Sequence, residues 1–394
     1  MKPQGAASGG TTTTGPARIT SLDWVRGWML VASVAVNSLW WAPEWFEHAH
    51  WAGVHPVDLV FPVFVALSGC GLALAMHRRV QVRPMLRRVL VLLAVGLLYN
   101  AVTTHGLDTR SWDPATWRLP GVLQLYAVLV TLVALGHLLT RTWRGWALLT
   151  AAAATAHTAL LAGWAAGCPG GELTRECNPS GGVDTAVFGA AHVYAAGQAG
   201  HDPEGLVAIG GALVSAAAGA TTGHLLLARR AARPPGRGPG TAVLPVLGLA
   251  AALLAAAVLT SQAPAWLGAA EVPAMKRLWT APFALGVGAG VALALLAGHL
   301  LLDRARTGAA LRASAWPLVA LGRNSLLVYF GSHVVMALLL ERPEGAPDGP
   351  STAERAANAV AVAGHPQATW TVLAVLAWTA LACLLHSRRL YLRP

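Results

Sequence analysis

Charged residues are scarce in this chain, at 11% of 394 residues, where a soluble domain carries about 25%. Hydrophobic residues make up 55%, so most of the protein surface does not face water. Tyr and Phe are also few, at five and six, against sixteen Trp, a residue that favours the headgroup region of a bilayer. These proportions exclude a soluble enzyme domain and indicate an integral membrane protein.

Acidic residues number 17 against 28 Lys and Arg, which gives a formal net charge of +11. A basic chain can bind nucleic acid, but here the basic residues form short clusters between apolar runs. Clusters of this kind orient membrane helices. We therefore expect the lipid bilayer, and no nucleic acid, as a partner.

Ten apolar segments come close to the roughly 20 residues with which a helix crosses a bilayer. Strands cross a membrane only as closed barrels, so segments of this length are expected to be helices. They lie at about 22–41, 57–77, 86–104, 120–140, 146–167, 205–228, 241–262, 279–301, 316–340 and 368–386. The predicted fold is an all-α, polytopic membrane bundle of about ten transmembrane helices.

The distribution of basic residues predicts the orientation. With a cytoplasmic N-terminus, nineteen Lys and Arg fall on the inner side and seven in outer loops, as the positive-inside rule requires. An even helix count puts both termini in the cytoplasm, and we expect a multi-pass plasma-membrane protein. The predicted parts are a disordered tail 1–17, a transmembrane bundle 18–230, a cytoplasmic linker 231–240 and a second bundle 241–394.

Only four cysteines are present. Cys70 and Cys383 lie within apolar segments and are expected to be packing residues. Cys168 and Cys177 share an outer loop, where an oxidising compartment would link them; two free thiols are the alternative. Because no Cys-x-x-Cys and no close His pair accompanies them, we expect no metal there.

Polar residues inside apolar segments are costly, and they usually line a cavity or a site. Asp23 and Arg26 are three residues apart on one helix face, which fits a neutralised pair or a site. Arg323 and Asn324 lie about two turns into their segment and need partners. Together with Gln124, these residues are candidates for an internal polar passage.

The first outer loop concentrates three histidines and three carboxylates. This composition fits a metal site, a general base beside orienting groups, or a solvated loop. His-x-His spacing alone is a weak metal signal, and no second cluster completes a ligand set, so no metal is expected. The residues concerned are Glu44, Glu47, His48, His50, His55 and Asp58.

Several motifs follow one another along the chain. The most specific motif consists of two blocks, each matched without a gap: His48-Ala49-x-Trp51-x-Gly53, and then Asp58-Leu59-Val60-Phe61-Pro62. The others are Ser21-Leu22-Asp23-x-x-Arg26-Gly27, Asn37, Pro120-Gly121-Val122-Leu123-Gln124, Asp202-Pro203-Glu204-Gly205, Leu278-Trp279-Thr280 and Gly322-x-Asn324-Ser325-Leu326. Over about residues 18–340 the chain thereby resembles the heparan-α-glucosaminide N-acetyltransferase family, membrane enzymes that acetylate an amino sugar using acetyl-CoA.

The resemblance implies that His48 is the catalytic histidine and Asn37 its partner in the site. The amide of Asn37 would donate to a developing oxyanion. Asp58 would orient the imidazole, or simply cap the second helix. Two mechanisms stay open, because His48 either carries the acetyl group itself or acts only as a base.

For the acceptor, the resemblance points to Trp51, Asp202 and Glu204. The last two also have a structural interpretation, because Asp-Pro-Glu-Gly makes a good helix start.

For the donor, acetyl-CoA, the phosphates need cations. Arg26 and Arg323 are the candidates, with Gln124 and Asn324 lining the passage. The arginine cluster between 78 and 88 is an alternative, although topology and anionic lipid also account for it.

We therefore expect a membrane acyltransferase that moves an acetyl group from cytoplasmic acetyl-CoA to an extracytoplasmic amino sugar, glycan or related metabolite. Two alternatives stay open, a transporter or channel and an O-acyltransferase with a longer acyl donor. A homodimer is also left open.

Overall fold

The computed structural model describes residues 19–107, 109, 112–232, 239–303, 307–342 and 349–392. Within these ranges the backbone forms thirteen α-helices, and its strand-like pairing is one isolated bridge between Gly53 and Met275. The helices are α1 (Thr20–Asn37), α2 (Val60–Met76), α3 (Val82–His105), α4 (Val122–Leu139), α5 (Trp143–Ala165), α6 (Pro179–Phe188), α7 (Leu206–Ala231), α8 (Val243–Trp266), α9 (Ala281–Leu302), α10 (Ala309–Arg323), α11 (Ser325–Leu340), α12 (Thr352–Ala359) and α13 (Pro366–Ser387). The predicted all-α class is confirmed.

Eight helices in the described part of the chain are long and apolar enough to cross a membrane: α2, α3, α4, α5, α7, α8, α9 and α13. The pair α10 and α11 qualifies jointly as a bent span. These nine coincide with nine of the ten predicted segments. The tenth, 22–41, forms α1, which is less apolar because it carries Asp23 and Arg26. The polytopic helical architecture is confirmed, and the orientation of the termini stays a prediction.

The segment predicted at 316–340 is broken in the structure. The axes of α10 and α11 differ by 71°, and Asn324 occupies the break. Its buried side chain donates from Nδ2 to the carbonyl of Ala320 at 3.0 Å and to that of Ala382, in α13, at 3.4 Å. These bonds satisfy carbonyls at the break and tie it to α13.

Helix α7 lies at the centre of the bundle. In the most apolar stretch of 18 residues in α7, 78% of the stretch is buried, whereas the corresponding stretch of α13 is only 6% buried. Helix α13 therefore lies at the periphery. α7 packs against α2, α4, α5 and α9. Gly219 of α7 meets the carbonyl of Ala66, and Gly69 of α2 meets that of Ala216, where a Cβ would overlap the facing backbone. Small residues let membrane helices approach closely, and here they hold α2 rigidly in the core.

Short connections decide which helix ends lie together. The end of α2 and the start of α3 are joined by five residues, 77–81. Helix α1 begins on the same side, since the side chains of its Leu22 and Arg26 face Gly71 in the second half of α2. The loop containing His48 leads into the start of α2 at the opposite side. We call these sides the arginine end and the His48 end.

Helices on both sides of the predicted linker pack together, because α1 contacts α9, α10 and α11. Residues 233–238 of that linker lie outside the described residues. The division into two bundles stays a prediction.

Candidate active site

The loop between α1 and α2 positions His48, and neighbouring loops hold its backbone. Arg277 Nε donates to the carbonyl of Ala49 at 3.0 Å. The indole Nε1 of Trp51 donates to the carbonyl of Leu173 at 2.8 Å. The backbone at Ala49 and the side chain of Trp51 are thus held by two other loops, so the fold sets the position of the imidazole.

His48 and Asp58 form a hydrogen-bonded pair. The Nδ1 atom of His48 lies 2.6 Å from Oδ1 of Asp58, whose side chain is 1% exposed while the histidine is 48% exposed. A carboxylate only accepts, so Nδ1 carries the proton and Nε2 of the neutral ring keeps its lone pair. Such an arrangement leaves a base or nucleophile that solvent and substrate can reach.

The other oxygen of Asp58 accepts hydrogen bonds from the backbone. Oδ2 accepts from the amide of Ala49 at 3.2 Å and from that of His55 at 2.9 Å. The sequence left open whether Asp58 orients the imidazole or caps the start of α2. Oδ1 faces the imidazole, whereas Oδ2 caps the 3₁₀ turn Pro56–Leu59 that precedes α2 and not α2 itself, so the backbone holds the carboxylate against His48.

Asn37 ends α1, and its Nδ2 donates to the carbonyl of Ser332 in α11 at 3.1 Å. Among the described residues no hydrogen bond joins Asn37 to His48. An amide group has two N–H donors, so one remains beyond the bond to Ser332.

The carboxylates of Asp202 and Glu204 come together on Arg118. Its Nη2 lies 2.6 Å from Oδ1 of Asp202 and 2.6 Å from Oε2 of Glu204, and both carboxylates are buried. Burial alone would lower the pKa of Arg118, but the two carboxylates outweigh it and raise that pKa above its ordinary value. The guanidinium also lies 4.9 Å from the centre of the Tyr194 ring.

Besides the half-buried Arg118, this side of the bundle contains a buried cation, Lys276, which is 9% exposed. Its neighbour Met275 pairs with Gly53, which brings this loop against the loop of His48. Burial lowers the pKa of Lys276, and the carboxylates of Glu204 and Asp58 oppose that change. Lys276 therefore lies in the joint field of the His48 pair and the Arg118 cluster. Arg118 and Lys276 were expected only among the seven basic residues of the outer loops, and their place beside the site was not predicted.

Trp51 and His201 form an edge-on aromatic contact, with ring centres 5.4 Å apart. Nδ1 of His201 lies 2.9 Å from the carbonyl of Ala199, and burial lowers the pKa of this imidazole. The contact connects the predicted acceptor residue Trp51 to the segment that carries Asp202 and Glu204.

The outer loop between α5 and α6 is closed by a disulfide between Cys168 and Cys177. The predicted bond is thereby confirmed over the alternative of two free thiols. Cys70 is a buried free thiol, and Cys383 is free and half-buried.

A cavity of about 290 Å³ lies inside the bundle. Both predicted arginines, Arg26 and Arg323, line it, and Arg88 of the alternative cluster joins them. Asp23 contributes the carboxylate opposite these three guanidinium groups. The buried Nε of Arg88 has no hydrogen-bond partner among the described residues. An unpaired donor beside two further arginines fits an anionic ligand.

One face of α2 joins this cavity to the His48 pair. Phe61, Phe64 and Ser68 line the cavity and are spaced three and four residues apart, as a single helix face requires. Asp58 lies one turn before Phe61, and Arg26 contacts the carbonyl of Leu67. At 1.5 Å per residue, the ten residues from Asp58 to Ser68 cover about 15 Å. The lining thus extends from the arginine end towards the His48 end.

Gln124 and Asn324 are not among the residues lining the cavity, although their neighbours Leu123 and Arg323 are. The buried amide of Gln124 has no hydrogen-bond partner at Oε1 or Nε2 among the described residues. Asn324 is occupied at the helix break. The structure therefore brings Arg26 and Arg323 together and leaves these two amides just outside.

No group of three or more His, Cys, Asp or Glu side chains with a metal-binding arrangement occurs in the described ranges. In the first outer loop, Nε2 of His50 lies 3.8 Å from Glu44 at the surface, with both side chains largely exposed.

These features define the class of protein: a helical membrane bundle with a His–Asp pair at one end and an arginine-lined cavity towards the other. The sequence model for the catalytic region of heparan-alpha-glucosaminide N-acetyltransferase matches residues 18–168. The human protein of that name is 26% identical over 370 residues, which cover 81% of this chain and 53% of the human one. The mouse protein is 32% identical over 125 residues, 30% of this chain and 19% of the mouse one.

These matches confirm the resemblance carried by the motifs: the chain is similar to heparan-α-glucosaminide N-acetyltransferase, and residues 18–168 match the catalytic region of that family. It spans about half the length of the human relative. The matched region 18–168 includes Arg26, His48, Asp58 and Arg88.

Proposed function

We propose that this chain is a membrane acyltransferase that moves an acetyl group from cytoplasmic acetyl-CoA to an amino sugar or related acceptor outside. The observation that carries the proposal is the 2.6 Å contact between His48 and the buried Asp58. The family match adds the reaction class, since the relatives are named for N-acetyl transfer to a glucosaminide. The plasma membrane is the proposed location.

His48 is the group that handles protons or the acetyl group. With Nδ1 held by Asp58, Nε2 accepts a proton from the acceptor's amine or hydroxyl as it attacks the thioester carbonyl; the C–S bond then breaks, and the imidazolium gives the proton to the leaving CoA thiolate. In the second version, Nε2 itself attacks the carbonyl, the C–S bond breaks and the CoA thiolate leaves; the acceptor then displaces the ring from the acetyl group and releases its proton to water. The remaining N–H of Asn37 is the proposed donor to the oxyanion.

The donor is proposed to enter at the arginine end. Arg26, Arg88 and Arg323 supply three guanidinium groups against one carboxylate in the cavity lining. Guanidinium groups bind phosphate through paired N–H donors, and the buried Nε of Arg88 lacks a partner that such a ligand would provide. The residues present therefore fit the phosphates of acetyl-CoA.

The acceptor is proposed to bind at the His48 end, near Trp51, Asp202 and Glu204. Arg118 neutralises part of the two carboxylates, so they are better suited to accept hydrogen bonds from sugar hydroxyls than to hold an ammonium group alone. An amine must be neutral to attack a carbonyl, and a site that does not stabilise its charged form favours that state.

Labelled acetyl transfer in proteoliposomes tests the proposal, with acetyl-CoA on one side and glucosamine on the other. His48→Ala should lower the rate by about 10²- to 10⁴-fold, the usual contribution of a general base. His50→Ala is the matched control, because His50 lies in the same loop with its side chain 73% exposed, and it should transfer normally. Normal transfer by His48→Ala would end the catalytic assignment.

The same vesicles separate the alternatives. Flux of glucosamine without acetylation would identify a transporter. Phe61, Phe64 and Phe330 contribute apolar surface to the cavity lining, and this surface is compatible with a donor that carries a longer acyl chain. Rates that rise with acyl-CoA chain length would identify that second activity.

A further inference from the structure

The end of the chain turns back over the arginine cavity. After α13 ends at Ser387, Arg389 adopts a positive φ of 57°, and the amide of Leu390 donates to the carbonyl of Leu385 at 2.9 Å. The turn places Leu392 in the cavity lining. Residues 388–392, which we call the C-terminal segment, therefore border the cavity.

Tyr391 of this segment stacks on a cavity arginine. The Arg323 guanidinium carbon lies 4.1 Å from the centre of the Tyr391 ring, within cation–π distance. The Tyr391 hydroxyl lies 3.1 Å from Nδ1 of His386, which holds the ring in place from α13. Both Tyr391 and Arg323 are half-buried, and the guanidinium lies over one face of the ring, so the two groups form a stacked pair at the border of the cavity.

The cavity is too small for a whole acetyl-CoA. Its volume of about 290 Å³ is at the lower limit for a drug-sized ligand, roughly 300–1,000 Å³, and acetyl-CoA is larger than most such ligands. The thin acyl-pantetheine arm fits a cavity of that size. The adenosine part must then lie outside it, next to whichever groups border the cavity.

Building on the proposed function, we infer that Tyr391, together with Arg323, binds the adenine ring of the acyl-CoA donor. Aromatic rings and guanidinium planes are the usual stacking partners of a nucleobase, and Arg323 carries the positive charge that the adjacent phosphates need. The C-terminal segment is thus a binding element for the nucleotide, and it sets the preference for CoA over shorter thioesters.

Two donors that differ only in the nucleotide test this inference. Tyr391→Ala should raise KM for acetyl-CoA about tenfold, a typical contribution of one stacked base. For acetyl-pantetheine, which has no adenine, the same substitution should leave KM unchanged. Tyr391→Phe keeps the stacking ring and loses only the contact of the hydroxyl with His386, so its KM for acetyl-CoA should lie closer to wild type than that of Tyr391→Ala. Leu390→Ala, in the same segment but outside the cavity lining, is the matched control.

A binding measurement adds a readout that needs no turnover. Adenosine 3′,5′-bisphosphate should bind the purified full-length protein in detergent, and Tyr391→Ala should weaken its Kd about tenfold. A lower KM for both donors in Tyr391→Ala would show instead that the segment obstructs the cavity, and equal changes for both donors would show a general structural role. Either result overturns the inference. If neither donor gives transfer with the wild-type protein, the proposed function fails and not the nucleotide site alone.

Discussion

Replacing Asp58 by Asn tests the chemistry with the smallest change of shape. In the native protein Oδ1 faces Nδ1 of His48, while Oδ2 accepts from two backbone amides. An asparagine has a single acceptor oxygen, and the two amides of Ala49 and His55 require it. The NH₂ group of the substituted residue then faces the imidazole, and since this group only donates, Nδ1 must become the acceptor.

The consequence is a change of tautomer. With Nδ1 unprotonated, the proton of the neutral ring moves to Nε2, and His48 loses the lone pair that the proposed reaction uses. In serine proteases the equivalent exchange costs about 10⁴ in kcat, and general bases contribute about 10²- to 10⁴-fold. We expect Asp58→Asn to lower kcat/KM for acetyl transfer by about 10³-fold, or about 4 kcal/mol in activation free energy.

Initial rates with acetyl-CoA and glucosamine provide the assay, with thermal unfolding in detergent as the check on folding. A second His–Asp pair supplies the control, because Nδ1 of His299 lies 2.9 Å from Oδ2 of Asp303, whose Oδ1 accepts from the amide of Thr20. Asp303→Asn makes the same chemical change at a carboxylate whose side chain is 8% exposed, and it should keep the rate. Wild-type kcat/KM in Asp58→Asn, or an equal loss in both variants, would refute the reasoning.

Three further expectations concern the loops and the cavity. Replacing Cys168 and Cys177 by Ser should lower stability by about 2–3 kcal/mol, measured by denaturation, and a reductant should then lose its effect on the melting temperature. Burial holds the pKa of His201 below its ordinary value, so the unfolded state binds more protons below about pH 6.5 and stability falls as the pH drops from 7 to 5. His201→Gln should reduce this decrease of the melting temperature between pH 7 and pH 5, and an unchanged pH dependence would contradict the reasoning. Ser68→Phe should fill the cavity and lower kcat/KM about 100-fold without weakening adenosine 3′,5′-bisphosphate binding.

Most of the bundle follows from the length and apolarity of its segments. Nine predicted spans correspond to helices or to the bent pair, because a chain in lipid must satisfy its backbone internally. The break at Asn324 was not predicted. It depends on a side chain that bonds Ala382, more than fifty residues away in sequence, and such a partner leaves no local pattern.

The site was predictable where its residues are adjacent in sequence. His48 and Asp58 lie ten residues apart in one motif block, and the structure joins them directly. Arg118 and Lys276 come from distant loops and carry no motif. A signal was nevertheless available, because basic residues in outer loops run against the positive-inside trend and therefore need another explanation. The contact of Arg118 with Asp202 and the burial of Lys276 supply it.

The polarity of the cavity limits how far a donor can enter. Its positive charges come from Arg26, Arg88 and Arg323, whereas Phe61 and Phe64, the lining residues nearest to Asp58 along the chain, carry no charge. Moving a phosphate past these rings would strip it of water and separate it from the guanidinium groups, at a cost of several kcal/mol or more. On the proposed function, only the uncharged acyl arm can therefore advance along α2. The reacting carbonyl then arrives at the far end of that helix while the phosphates stay with the arginines. Asp58 lies one turn before Phe61 and holds the imidazole of His48, so on the proposed function the arm ends at this pair.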